Sequence, residues 1–447
     1  MNYEELFRTA PVSRAVLSMA IPTVISQLIT VVYNMADTFF IGQLNQPAQV
    51  AAATVVMPVF MLLTGIANLY GMGGSSTISR LLGTKQRKDA SQCASFCILA
   101  GIVTALIYGI LLFVFRKPLL TLLGAAPTNY DFSVIYLFWT ITLGAIPTVL
   151  NAELAHLVRA EGFSFQAGFG VALGGILNIL LDPVFIFGLD MQIRGAAIST
   201  MLSNAIACAY FFIFLYQKRQ TTVITCHLSG LQLAPGLKKA VFRAGTPGLV
   251  MNAMGTFSNA VLNHLIAGYS EEAIAGIGIA KKIDLLAYAI SQGMTQGVLP
   301  LIAFNFAAKN HQRMHQCIRV TALYSLILAV AMAVLIFVTA QPLSQAFIQD
   351  AATIQYSTTF LKIICLACPF SAMNFIMITV FQATGGSWAP ILLSLLRKGG
   401  LDVPLMFLFN QLGGVRVVAW ATPAVDGIVL LLGLAIFIPY LKHISLS

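Results

Sequence analysis

Asp37 is the only charged residue between Arg14 and Arg80. In a stretch that otherwise reads as hydrocarbon, a carboxylate is costly, faces a protein interior, and is a functional candidate by default. Five more acids fall inside apolar stretches: Glu153, Asp182, Asp284, Asp402 and Asp426. Asn178 precedes Asp182 by one helical turn, and Thr200 lies in the next apolar run. Asp37, Asp182, the Asn178 amide oxygen and the Thr200 hydroxyl form an oxygen-only set, the kind that hard cations prefer. Two neighbouring carboxylates can equally share a proton, so these residues leave Na⁺ and H⁺ both open. Asp284 is different, because Lys281 three residues earlier can pair with it on one helix face and reduce its cost.

Other chemistries lack their residues. The chain has no HExxH and no GxSxG, and Gly71-Met72-Gly73-Gly74 lacks the GK[ST] of a phosphate loop. That glycine tract reads instead as a site of close helix packing. Cys93 and Cys97 share a helix face but have no accompanying His or acid, so they read as small core residues and not as metal ligands. His156 and His264 read as hydrogen-bonded interior residues. Met72, Met251, Met254, Phe257 and Met294 either line an adaptable apolar pocket or simply pack.

The elements that carry these residues follow from composition. Of 447 residues, 58% are apolar and 9% charged, and the mean hydropathy is +0.86. A soluble domain carries about 25% charged residues, so this chain cannot cover a water-facing surface of its size. The apolar runs predict an all-α membrane protein of twelve spans, at 15–44, 50–79, 91–115, 132–157, 166–188, 193–216, 245–268, 273–307, 316–340, 356–383, 389–411 and 416–441. The first span is too long for a cleaved signal peptide, is preceded by acids as well as bases, and runs directly into Asp37.

With the amino terminus inside, sixteen Lys and Arg fall in inner segments (Arg8, Arg159 and Lys218 among them). Only Arg116, Lys117, Arg194 and Arg416 fall outside, and five more lie within the spans. This asymmetry predicts both termini in the cytoplasm. It also accounts for the net charge of +10 without nucleic acid, since the charge is spread over loops and forms no single face.

The polar stretch 218–243 divides the chain into residues 1–217 and 244–447, two lobes of six spans each. Sparse signals recur between them at offsets of 221 to 225. Pro22 answers Pro247, Gly71-Met72 answers Gly293-Met294, Asn151 answers Asn374, Asp182-Pro183 answers Val403-Pro404, and Arg194 to Thr200 answers Arg416 to Thr422. An even number of spans per half makes the repeats parallel, as in transporters that rock two lobes about a central site. Counted along the spans, Asp37, Asp182 and Thr200 each lie about 10 Å below the outer ends of their helices. Glu153 falls in the inner half, about 15 Å or more from that cluster. It is expected to meet the cationic part of a substrate, with bonding to Arg159 or His156 as the plainer alternative.

Taken together, Pro22, Asp37-Thr38-Phe39-Phe40-Ile41-Gly42, Arg159-Ala160-Glu161-Gly162, Asn178 with Asp182-Pro183, and Gly195-Ala196-Ala197 leading to Thr200 resemble the multidrug and toxic compound extrusion (MATE) family over nearly the whole chain. The resemblance implies two six-helix lobes around a central cavity, with a drug leaving as Na⁺ or H⁺ enters. It places Asp37, Asn178, Asp182 and Thr200 in the coupling-ion site, Tyr33 beside it, and Pro22 where the first span bends. Some members carry an acid on the seventh span, whereas this chain has none from Ala244 to Ser270, which leaves Asp402 and Asp426 as substitutes in the second lobe.

The expected function is that of a cation-coupled antiporter and not of an enzyme, working without a cofactor as a monomer in the plasma membrane, the inner membrane of a bacterium. It exports amphipathic, often cationic, compounds along a pathway lined by Glu153, Asn151, Met251, Met254 and Phe257. The alternative is a flippase for a lipid-linked sugar, which calls for a cationic cavity. A major-facilitator carrier is disfavoured because 81–89 lacks the GxxxDRxGRR pattern.

Overall fold

The computed structural model describes residues 4–227, 230, 232–266, 268–385 and 388–446, and among them there is no strand. The described residues form twelve long or broken helices, joined by short turns except at 115–129, which holds the short helix Arg116–Leu122, and at 218–234. In the first lobe they are α1 (Val12–Gly42), α2 (Pro47–Gly83), α3 (Arg87–Val114), α4 (Tyr130–Leu143 with Ala145–Ala160, bent by 48°), α5 (Ser164–Gly188) and α6 (Gln192–Gln217). In the second they are α7 (Pro235–Ile266), α8 (Glu271–Ala307), α9 (His311–Phe347), α10 (Ala351–Thr384), α11 (389–413) and α12 (Val415–Ile444). The protein is an all-α membrane protein of two six-helix lobes.

Eight of these helices are apolar enough by themselves to cross a membrane, and bent α4 makes a ninth. The other three carry charge: Lys238, Lys239 and Arg243 on α7, Lys281, Lys282 and Asp284 on α8, and Arg397, Lys398 and Asp402 around the break that divides α11 into two short helices. The bend in α4 falls at Gly144, where a Cβ would lie 2.7 Å from the Trp139 carbonyl oxygen. A residue with a side chain does not fit there.

The lobes meet chiefly through α1 against α8 and α2 against α7. Glycines set that approach. A Cβ on Gly73 would strike the Val241 carbonyl oxygen and one on Gly245 the Leu69 carbonyl oxygen, while Gly297 sits against the Met19 carbonyl oxygen and Gly293 against Val24. All these contacts lie toward the end of the bundle that holds the start of α1, called here the terminal end. The Gly71-to-Gly74 tract is therefore a packing device, as its composition suggested: Gly71 abuts His156, and Gly74 abuts Cys97 and Leu157.

Two segments tie this end together. Glu161 accepts hydrogen bonds from Thr222 Oγ1 at 2.5 Å and from the Val223 amide at 2.7 Å, fixing the interlobe connection to the first lobe. Ahead of α1, the turn Glu5–Thr9 crosses to the second lobe, where Arg313 donates to the carbonyls of Phe7 at 2.7 Å and Ala10 at 2.6 Å.

Candidate functional site

Asp37 is on α1, Asn178 and Asp182 on α5, and Thr200 on α6, with α1 packed along α5 and α5 along α6. The structure brings the four together. Asn178 Nδ2 lies 3.4 Å from Asp182 Oδ1, 3.3 Å from Ser199 Oγ and 3.3 Å from Thr200 Oγ1. Ser199 donates to Asp182 Oδ1, and Tyr136 on α4 donates to Asp37 Oδ2 at 3.4 Å. Asp37 and Thr200 line a cavity of about 150 Å³, whose wall they share with Tyr33, Asn34 and Phe60. Those last three residues and Thr200 also line a second cavity of about 290 Å³, which reaches Asn178.

Three oxygens in this group are buried without any hydrogen-bond partner: Asp37 Oδ1, Asp182 Oδ2 and Asn178 Oδ1. A buried, unsatisfied carboxylate oxygen is expensive. Two of them with an amide oxygen suit a small cation, and the two acid oxygens suit a proton. Sequence reasoning missed Ser199 and Tyr136. The depth argument contained both, since Ser199 adjoins Thr200 and Tyr136 lies six residues, about 9 Å, inside the same end of α4.

The 290 Å³ cavity runs between the lobes, walled by α1, α2, α4, α5 and α6 on one side and by α7 and α8 on the other. Its lining is rich in amides and hydroxyls, with one guanidinium and no carboxylate. At its floor Gln27 Nε2 donates to Gln296 Oε1 across the lobes at 2.8 Å.

Several expected pathway residues are placed otherwise. Asn151 lines the cavity and donates to Asn204 at 2.8 Å. Glu153 does not line it: the residue is fully buried, its carboxylate is pressed against Gly101 of α3, and both carboxylate oxygens lack partners. It bonds neither Arg159 nor His156, which instead bond each other, Nη1 to Nδ1, at 3.2 Å. Residues 148, 151, 152, 155, 156 and 159 of α4 make one helical face toward the cavity. Glu153 stands about 130° from its centre at 100° per residue. Arg159, counted from sequence as a loop cation, is 3% exposed and faces the cavity.

Met251 lines a pocket of about 30 Å³ near the floor with Met72, and Tyr288 donates to its sulfur at 3.4 Å. Met254 packs on Gly399, while Phe257 is exposed and lines none of these cavities. Pro22 lies in the unbroken α1, its carbonyl closely covered by Gly168, far along the helix from Asp37. His264 is exposed on α7.

The second-lobe acids have partners. Asp426 forms a buried salt bridge with Arg397 at 2.6 Å and accepts from Ser371. Asp402 accepts from Ser258 at 2.5 Å. Neither has a fully buried oxygen without a partner, unlike Asp37 and Asp182. Asp284 and Lys281 stay within electrostatic reach without bonding. Cys365 and Cys368, a CxxC spacing passed over in the sequence, are buried in the second-lobe core, and no His, Cys, Asp or Glu set for a metal occurs among the described residues.

A two-lobed helical bundle with a central polar cavity and orphaned acid oxygens in one lobe defines a membrane transporter. The MatE family model matches residues 22–184 and 247–408, one stretch in each lobe. The multidrug export protein MepA of Staphylococcus saprophyticus is 30% identical over 423 residues, covering 94% of this chain and 93% of the relative. The chain belongs to the MatE family.

Solved structures agree in fold. One, described as the outward-facing conformation of a multidrug resistance MATE family transporter of the MOP superfamily, has a TM-score of 0.91 at 21% identity and covers 100% of this chain and 99% of that one. The MATE transporter VcmN of Vibrio cholerae in its bent form has a TM-score of 0.87 at 23% identity, with 97% and 98% covered.

Proposed function

We propose that this multidrug-type transporter is a cation-coupled antiporter that exports amphipathic organic compounds in exchange for Na⁺ or H⁺ entering through the first lobe. The observation that carries the coupling is the trio of unpartnered oxygens on Asp37, Asp182 and Asn178 beside the central cavity. A cation or proton there satisfies them, and its loss leaves them unpaired, so occupancy changes the relative stability of the arrangements of α1, α5 and α6.

The Lys and Arg asymmetry supports placing both termini in the cytoplasm, with the protein in the plasma membrane; on this reading it works as a monomer. With the termini in the cytoplasm, the seal at the terminal end corresponds to an outward-facing conformation. Alternating access then requires the glycine contacts of α2 with α7 and α1 with α8 to part, with Pro22 giving α1 freedom to bend. The cationic preference expected from Glu153 loses its basis, because that carboxylate does not reach the cavity.

Purified protein in liposomes loaded with a fluorescent dye tests the coupling. Efflux driven by an imposed Na⁺ gradient or an imposed pH gradient is expected. Transport indifferent to both gradients overturns the reading.

A further inference from the structure

Among the described residues Arg159 has no counter-charge. Its side chain is 3% exposed at the terminal-end floor of the 290 Å³ cavity. Its Nε is buried without a hydrogen-bond partner, and Nη1 meets only His156. The nearest acid in sequence, Glu161, turns the other way to hold Thr222 and Val223, and no carboxylate lines the cavity. A guanidinium this little exposed and without an anion is costly.

Because Arg159 Nη1 donates to His156 Nδ1, the proton of that ring is on Nε2, and the two side chains lining the floor carry N–H donors. The amides of Asn68, Gln292 and Gln296 border the same floor and supply further donors.

We infer that Arg159 and His156 form a subsite for the anionic group, a carboxylate or a phosphate, of the amphipathic substrate. The inference rests on the reading of this cavity as the export site and names the chemistry that it selects. Planar, bidentate pairing with an oxyanion is what a guanidinium does best. Arg159 sits in the last turn of α4, next to the lobe seal, so an opening at the terminal end brings it first to an entering substrate. A zwitterion whose carboxylate docks here leaves its cationic part among the hydroxyls and amides higher in the cavity.

The test uses two dyes that share one xanthene skeleton, rhodamine 110 with a free carboxylate and rhodamine 123 as its methyl ester. Binding to the purified full chain is followed by fluorescence polarisation. The wild type is expected to favour the carboxylate roughly tenfold. Arg159→Gln should abolish that preference while leaving the ester's affinity unchanged, and Arg159→Lys should restore part of it. A merely structural arginine would weaken both dyes together and leave their ratio alone.

Competition by lysophosphatidate against monoacylglycerol distinguishes the source. Displacement of rhodamine 110 by the phosphate lipid alone assigns the subsite to a lipid headgroup, and no displacement by it keeps the carboxylate of a drug-like compound. Equal binding of the two dyes by the wild type, or an unchanged ratio in Arg159→Gln, overturns the subsite while leaving the exporter reading intact. A wild type that binds neither dye removes the cavity as a drug site, and the subsite with it.

Discussion

Asn374 and Asp426 meet in the second lobe as Asn151 and Asn204 meet in the first. Asn151 Nδ2 donates to Asn204 at 2.8 Å, and Asn374 Nδ2 donates to the Asp426 carbonyl at 2.9 Å. The offsets of these pairs belong to the repeat that relates the two lobes, so one link joins the fourth and sixth helices of each. What differs is charge: the second lobe has an aspartate where the first has an asparagine, and Arg397 pairs with it at 2.6 Å. Removing one partner of a buried pair costs about 3–5 kcal/mol, whereas removing both costs far less. Asp426→Asn should therefore lower the thermal unfolding midpoint in detergent sharply, and Asp426→Asn with Arg397→Leu should recover most of the loss. Equal midpoints for the single and double variants would show that the ion pair is not what holds α11 to α12.

Asp37→Asn should abolish gradient-driven efflux while leaving expression and dye binding near the wild-type level. The substitution keeps the shape of the side chain and its bond to Tyr136 but removes the charge beside two other orphaned oxygens. Efflux at the wild-type rate in a proteoliposome assay would remove Asp37 from coupling.

Asp182→Asn and Thr200→Ala should each weaken cation dependence, and neither should add fully to Asp37→Asn, because the groups serve one ligand. Asn178 links Asp182 to Thr200, and Thr200 adjoins Asp37 along the 150 Å³ cavity. The check is a double-mutant cycle on the ion concentration for half-maximal efflux. Strict additivity would separate the sites.

Glu153→Gln should leave the apparent KM unchanged for cationic and neutral substrates alike, since the carboxylate lies against Gly101 and outside the cavity. Gly101→Ala, by contrast, should displace the Glu153 carboxylate, because a Cβ there meets Glu153 Oε2 and the side chain must turn aside to admit it. A selective rise in KM for cations in Glu153→Gln would return this acid to the substrate path.

The parts of this architecture that were legible in advance are those written as periodicity and scarcity. Asp37 stood out because nothing charged surrounds it, and Asn178, Asp182 and Thr200 followed because helical rise converts spacing into depth. Glu153 and Arg159 were misplaced for one reason: depth along a helix was counted and direction around it was not. The face 148, 151, 152, 155, 156 and 159 was present in the sequence as an i, i+3, i+4 pattern. The Arg397–Asp426 pair was of another kind, for its partners are 29 residues apart and joined only by how α11 packs on α12.

Gly245 sits against the Leu69 carbonyl and Gly73 against the Val241 carbonyl, so each helix of the α2–α7 seam has a glycine where the other presents backbone. Backbone cannot rotate aside as a side chain can, and a β-carbon at either place forces the helices apart. Gly245→Ala should therefore loosen the terminal-end seal and raise the population that is open there. A cysteine placed at Gln292 on the cavity floor reports this directly, in a background where exposed Cys226 is replaced. Labelling of that cysteine by a membrane-impermeant maleimide added from the terminal side should be slow with Gly245 intact and several-fold faster with Gly245→Ala, and active efflux should fall in parallel. If the labelling rate stays the same while the protein remains folded, the glycine contacts are not the seal, and closure must rest on the Gln27–Gln296 bond and the Arg313 clasp on the amino-terminal turn.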